Sequence, residues 1–345
     1  MKICYFSDRW PWLAKHSGYE RLPEYVRKIN PDINVFTSKS NLLNKFIGKA
    51  YSMYKGWPDR NHNFAASELF FSNYLKKKDF DICHILYYDS HYFFFDRWKK
   101  APKNMVVTIH HPPGRRMTSL MKANLKRISS AIILSTKDMK FYESLIGKER
   151  VRFIPHGVDT EFFRPKNNFK KNNIIYAGQN GRNTKMLCRV ITRLSKKQPE
   201  LHFDLLVRKE KRNAEGLRQL QKNPQVSWHE TVSDSELLRL YNDSYLLLLP
   251  IDTSSANNTI LESLACGLPI VTTDFGGIRD YGGNSIYPVV KNNDDNAMIK
   301  LIEQYLEDEK LRNRIGKKCR KFAEQKLDWP KVARMHLKAY KEFLE

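Results

Sequence analysis

No segment of this 345-residue sequence approaches the ~20 consecutive apolar residues that span a bilayer. The opening MKICYF has no apolar core of the signal-peptide kind and reads directly as a strand, so a cytoplasmic location is expected, with peripheral contact at the inner face of a membrane left open. Cysteine is scarce: Cys4, Cys83, Cys188, Cys266 and Cys319 are scattered, odd in number and form no C-x-x-C pair. That excludes a disulfide framework and a cysteine zinc site, and leaves each as a small buried hydrophobe. No G-x-G-x-x-G follows an opening strand, which argues against an NAD-dependent dehydrogenase. No D-x-D pair closes a strand as a metal clamp, so neither a metal nor a resident cofactor is expected. Acidic residues are also short: 37 against 60 Lys and Arg, a net charge of +23.

The basic excess favours anionic partners and says nothing of fold. Residues 1–165 carry 29 basic and 15 acidic side chains, the remainder 31 and 22. Without a zinc finger or an aromatic RNA-binding motif, charge alone does not make a nucleic-acid-binding protein, and no nucleic-acid partner is expected.

Short β-rich runs alternate with longer runs of helical period. Strands are predicted over 2–7, 33–37, 81–86, 105–109, 131–135 and 151–154, with helices over 18–29, 64–78 and 117–128. The pattern restarts with strands over 173–177, 202–207, 225–228, 244–249 and 269–273. Helices are predicted over 184–196, 212–221, 234–241, 258–266, 295–307, 309–326 and 330–344. Such alternation, occurring twice, predicts an α/β protein of two Rossmann-like doubly wound domains facing a cleft. RPKNNFKKNN at 164–173 is the expected break, giving domains at 1–165 and 166–329, with 330–345 a last helix. Ligands of such sheets sit beyond the C-terminal strand ends.

The richest stretch is 250–283, PIDTSSANNTILESLACGLPIVTTDFGGIRDYGG. Small and polar residues from Ser254 to Thr259 open a helix whose N-terminal N–H groups would cradle a diphosphate or a sugar hydroxyl; Ser255, Asn257, Asn258 and Thr259 are the candidate contacts. One turn further in, the carboxylate of Glu262 can accept two hydrogen bonds from a ribose diol.

Here the sequence resembles the retaining glycosyltransferases of family 4, also called glycosyltransferase group 1. The resemblance rests on Leu261 to Val271, on Gly276-Gly277, on Ile154-Pro155-His156-Gly157-Val158-Asp159, on Thr108-Ile109-His110, on Leu327 to Ala333, and on Ser17-Gly18. It implies the GT-B fold and a last helix that returns to the first domain. It further implies a nucleotide-sugar donor, with UDP the commonest, and transfer to a glycan or lipid-linked acceptor, as in polysaccharide or glycoconjugate biosynthesis. The nucleotide sugar is then a substrate and not a cofactor. In the family's Glu-x7-Glu pattern Glu262 takes the second place, the ribose contact; Ser254 stands in the first, with Asp252 two residues away. The resemblance also places His110 near the donor sugar and Gly18 in a glycine-rich loop.

The family's Arg position after Gly178 holds Gln179, leaving Arg182 and Lys185 as the nearest cations for the diphosphate. Arg182, Lys185 and His110 are therefore the candidate catalytic residues. A base pocket is expected near Trp228 to Val232, which brings in Glu230 and Val232. His156 and Asp159 are expected to shape a turn. A sugar-nucleotide epimerase on the same architecture is the first rival reading, and a basic nucleic-acid-binding protein the second.

Two basic stretches in the first domain stand apart. Residues 41–57 set Leu42, Leu43, Phe46, Ile47, Ala50, Tyr51 and Tyr54 on one face with Lys45, Lys49 and Lys55 off it; residues 114–127 carry Arg115, Arg116, Lys122, Lys126 and Arg127. Packing of the first apolar face on its own sheet is the expectation, with an anionic membrane surface the alternative.

Overall fold

Runs such as ICYF, MVVTI and NIIYA, rich in β-branched and aromatic residues, form buried parallel strands. The computed structural model describes residues 1–7, 15–38, 41–56, 61–91, 104–114, 118–166 and 169–345. The chain divides into two units. One holds the opening strand, Tyr19–Pro155 and Pro330–Glu345; the other holds His156–Trp329 and, although early in the chain, residues 15–18. The division falls between Pro155 and His156, upstream of the boundary expected at 165.

The first unit is built on strands β1 (Ile3–Phe6), β2 (Ile33–Phe36), β3 (Ile82–Ile85), β4 (Met105–Ile109), β5 (Ser130–Ile133) and β6 (Val151–Phe153). They pair in parallel in the order β2-β1-β3-β4-β5-β6, with Ile3 opposite both Ile33 and Ile82. Helices α1 (Leu22–Arg27), α2 (Leu42–Tyr54), α3 (His62–Leu75), α4 (Ser119–Leu125) and α5 (Met139–Ile146) connect them. Each crossover between parallel strands needs such a connection. Helix α5 was not among the expected elements, although Ser135 opens its approach by accepting from the Lys137 N–H. Of the second basic stretch, Lys122 and Lys126 lie in and just after α4, while Arg115 and Arg116, like Trp57 of the first, lie outside the described residues.

The second unit has β7 (Asn173–Ala177), β8 (His202–Leu206), β9 (Val226–His229), β10 (Leu246–Leu249) and β11 (Ile270–Thr272), parallel in the order β11-β10-β7-β8-β9. Its helices are α6 (Thr184–Lys197), α7 (Leu217–Leu220), α8 (Asp234–Asp243), α9 (Asn258–Ala265), α10 (Asp295–Glu307) and α11 (Glu309–Phe322). The helix expected over 212–221 shrinks to the single turn of α7, because Gly216 takes φ +90° and interrupts it. The core of this unit gathers Ile174, Phe203, Leu247, Ile260, Leu264 and Val271, among others. The long last helix, α12 (Trp329–Leu344), belongs from Pro330 onward to the first unit. All five cysteines are buried and unpaired. No helix among the described residues is long and apolar enough to cross a membrane.

Candidate active site

In the second unit β7 ends at Ala177 and β10 at Leu249, and the loops leaving these neighbouring strands meet in an isolated bridge between Arg182 and Ile251. Helix α9 starts beside them. Asn257, extended at φ −145°, caps it by accepting from the Thr259 N–H at 3.1 Å. The Arg182 side chain folds back under this helix start. Its Nε and Nη2 donate to the Ala177 carbonyl at 3.3 and 3.2 Å and its Nη1 to the Asn180 carbonyl at 3.0 Å. Nη2 also reaches Asn257 Oδ1 at 3.3 Å and Thr259 Oγ1 at 3.4 Å. Every one of these acceptors is neutral, and no carboxylate among the described residues pairs with the guanidinium. Burial accordingly holds its pKa below the ordinary arginine value. Gly178, at φ +90°, makes the fold-back possible: a Cβ there would lie 2.5 Å from Nη2.

Glu262 projects from the second turn of α9 and is 5% exposed. Ser17 donates its hydroxyl to Oε1 at 2.6 Å and Tyr241, from α8, donates to Oε2 at 2.7 Å. Burial raises the carboxyl pKa to about 7, against the two hydrogen bonds that favour the charged form. An opening of about 160 Å³ lies over it, lined by His16, Ser17, Gly18, Gly157, Asn258 and Glu262. Glu262 faces inward with a donor on each oxygen. Each oxygen retains a further lone pair.

The segment lining the opening is tied down at three points. The Lys15 N–H donates to Asp234 at 2.7 Å, His16 Nδ1 lies 2.7 Å from Asp159 Oδ2, and the His16 ring stacks on Phe162 with centroids 3.8 Å apart. Ser17 and Tyr241 were not among the residues expected from sequence. Tyr241 reads there as an ordinary helix residue, and Ser17 had only its neighbour Gly18 as a signal.

Other expected residues fall in different places. Lys185 pairs with Glu215 at 2.9 Å, both largely exposed, and does not join Arg182 under α9. Ser254 turns its hydroxyl to the Ala256 carbonyl, and Asp252 accepts from Asn292 at 2.8 Å. Ser255 is buried, in a second small recess with Ser254, Asn257 and Tyr281. Glu230 accepts from the Lys209 N–H at 2.9 Å, and Val232 packs against the core. His156 and Asp159 do shape the turn: His156 donates from Nδ1 to the Gly157 carbonyl at 2.7 Å, and Asp159 accepts from the Phe162 N–H. Among the described residues no three His, Cys, Asp or Glu side chains converge on a metal-sized site.

His110 belongs to the first unit, just beyond β4. Its backbone N–H donates to Asp89 at 2.7 Å, and Nε2 donates to the Leu86 carbonyl at 2.7 Å, which fixes the tautomer. Its ring stacks on Tyr87, whose hydroxyl bonds Glu20. Burial raises the Asp89 carboxyl pKa, opposed by the nearby His111 and by the backbone N–H groups of His110, Asp89 and His111.

The profile described as "Glycosyl transferases group 1" matches residues 158–322, the stretch holding Arg182 and Glu262, and the profile "Glycosyltransferase Family 4" matches residues 32–162. The chain belongs to the group 1, family 4 glycosyltransferases. It is similar to the capsular polysaccharide biosynthesis glycosyltransferase CapM of Staphylococcus aureus, 30% identical over 129 residues, or 36% of this chain. The match spans about a third of that relative, 33% of its length.

Solved glycosyltransferases resemble it over nearly the full chain. Sucrose-phosphate synthase from Thermosynechococcus elongatus gives a TM-score of 0.77 at 16% identity, covering 99% of this chain and 98% of that one. The Anabaena protein HepE in complex with UDP and glucose gives 0.71 at 14% identity, covering 99% of both chains. The catalytic domain of starch synthase IV from Arabidopsis thaliana, bound to ADP and acarbose, gives 0.72 at 12% identity and 99% coverage of both. At such identities the likeness establishes the fold, the two-domain GT-B architecture that the family resemblance implied.

Proposed function

We propose that this chain transfers a sugar from a nucleoside diphosphate sugar to a hydroxyl of a glycan or lipid-linked acceptor. The observation that carries the reading is Arg182: a half-buried guanidinium at the start of α9 whose five contacts are all neutral. An uncompensated cation at a helix N-terminus stabilises an anion, and a leaving diphosphate develops negative charge in the transition state. Arg182 would meet that charge together with the α9 amides near Asn257, Asn258 and Thr259, while Glu262 would accept from the ribose hydroxyls. His110 is the donor-sugar contact that the family resemblance implies. UDP is favoured as the nucleotide by the similar structures solved with it, and polysaccharide synthesis by the similarity to the capsular polysaccharide biosynthesis glycosyltransferase CapM. Retention of anomeric configuration is what the family resemblance implies, and NMR of the product decides it.

The test is a thermal-shift screen against UDP-, GDP- and ADP-sugars, followed by acceptor-dependent release of the nucleoside diphosphate. A ligand at 100 times its Kd should add about 2.7 kcal/mol of stability. No shift with any donor would overturn the reading. Turnover of the nucleotide sugar without an acceptor would point to an epimerase instead.

A further inference from the structure

Helix α2 is built the wrong way round for a helix that only packs on its own domain. Its buried residues are Gly48 and Ser52. Gly48 sits so close to α3 that a Cβ there would lie 1.7 Å from the His62 carbonyl oxygen. That backbone-to-backbone approach fixes the rotation of α2 and leaves its large apolar side chains outside. Leu42, Leu43, Phe46, Met53 and Tyr54 are 60–82% exposed and make up half of the large exposed hydrophobics among the described residues. Leu42, Phe46, Lys49 and Met53 follow one another at helical spacing along a single line, with Leu43, Ala50 and Tyr54 beside it. The expectation that this apolar face packs on its own sheet is corrected for Leu42, Leu43, Phe46 and Tyr54; Tyr51 does pack against the core of the first unit and Ile47 is half-buried.

We infer that the outward face of α2 docks on an anionic lipid bilayer. Residues 41–56 contain Lys45, Lys49 and Lys55 and no Asp or Glu. The Lys55 ammonium lies over the ring of Tyr54, 5.3 Å from its centroid, at the C-terminal end of the apolar row. Apolar side chains flanked by lysines suit the boundary between acyl chains and anionic headgroups. A second copy of the chain is a poorer occupant. Two-fold pairing presents the same patch from both sides, and would set lysine against lysine with no acid to answer. The bilayer supplies the missing negative charge, and the excess of 29 basic over 15 acidic residues in 1–165 acts in the same sense. The inference stands on α2 alone and does not depend on the sugar-donor reading.

The experiment is sedimentation of the full chain with vesicles of phosphatidylcholine alone and of phosphatidylcholine with 30 mol% phosphatidylglycerol, at low and high salt. The protein should bind the anionic vesicles and release them as salt rises. Leu42→Ser with Phe46→Ser, and separately Lys45→Gln with Lys49→Gln, should each lower the partition coefficient by roughly tenfold or more, with the thermal midpoint unchanged because all four side chains face solvent. Retained binding by the Leu42→Ser, Phe46→Ser protein would overturn the inference, since other lysines would then be responsible. Absence of binding at low salt would overturn it too. So would a dimer, seen by light scattering, that those two serines dissolve while vesicles are ignored.

Discussion

The Tyr241 hydroxyl donates to Oε2 of Glu262 at 2.7 Å, joining α8 to α9 inside the second unit. Both groups are buried, and burial pushes both pKa values up, the carboxyl to about 7. The folded protein therefore holds a proton on Glu262 at pH values where the unfolded chain, with a carboxyl near 4.5, has lost it. The stability that this proton lends is complete below pH 4.5 and is lost as pH rises to about 7, a change of roughly 3 kcal/mol. Urea unfolding at pH 5 and pH 8 should show that loss in the wild type and not in Glu262→Gln. Equal pH slopes for the two proteins would show that the carboxyl is not the titrating group.

The same group sets the pH dependence of donor binding. Ribose hydroxyls donate, so they favour the carboxylate over the acid. Affinity for a nucleoside diphosphate should rise as pH passes through about 7, and Glu262→Gln should flatten that rise. Calorimetric titration at pH 6 and pH 8 checks it; a wild-type affinity that is level or falls across this range would remove Glu262 from the ribose contact.

Arg182 and Lys185 separate two candidates that look equivalent in sequence. Only Arg182 lies under the start of α9, whereas Lys185 is paired with Glu215 at the surface. A hydrogen bond to a charged group contributes about 1.5–3 kcal/mol, or roughly 10- to 150-fold in affinity. Arg182→Ala should lose about that much nucleoside diphosphate affinity, while Lys185→Ala should stay within about threefold, as a surface ion pair contributes about 1 kcal/mol or less. Equal losses would return Lys185 to the diphosphate site.

Much of this was legible in the sequence. The strands came from β-branched runs, and α9 from the polar opening Ser254–Thr259 and the glycine after Cys266; both are local signals. What was hidden depends on which distant side chains a fold brings together. Ser17 and Glu262 are 245 positions apart, and the resemblance of Ser17-Gly18 to a glycine-rich loop carries no sign of a hydrogen bond to that carboxylate. The orientation of α2 was hidden for a related reason. Amphipathic spacing identifies a stripe but not which side a neighbour covers, and here the space beside α3 admits only Gly48 and Ser52. Lys185 was misleading because proximity in sequence to Arg182 says nothing about the surface partner Glu215.

His156 gives a pH effect of opposite sign. Its Nδ1–H bonds the Gly157 carbonyl, and burial lowers its pKa to about 4. The unfolded chain takes up a proton near pH 6.5 that the folded ring refuses, so stability is lost as pH falls from 6.5 towards 4, by up to roughly 3 kcal/mol. The His156 ring proton resonances should not shift between pH 8 and pH 5. A midpoint near 6.5 in that titration would mean that the ring is solvated.

The last helix should owe its seat in the first unit to a buried chain of hydrogen bonds. His336 donates from Nδ1 to the Val332 carbonyl at 2.9 Å, so its Nε2 must accept from the Tyr19 hydroxyl at 2.7 Å. Tyr19 in turn accepts from Thr108 at 3.4 Å, which leaves the Thr108 oxygen to accept from His84 Nε2 at 2.8 Å. With His84 neutral, Nδ1 is then the acceptor for Tyr340 on α12, at 2.6 Å, and the Tyr340 oxygen also lies 3.2 Å from the Tyr5 hydroxyl. This proton order requires a neutral His84, and burial with the neighbouring His336 does hold its pKa well below the ordinary value. Tyr340→Phe strands a buried ring nitrogen and should cost about 1–3 kcal/mol. Thr108→Val strands the other nitrogen of the same ring. Because both substitutions break one chain, the double variant should lose less than the two single losses combined, by 0.5 kcal/mol or more in urea unfolding. Strict additivity would show that Thr108 and Tyr340 hold α12 independently, and the single directed chain would have to be abandoned.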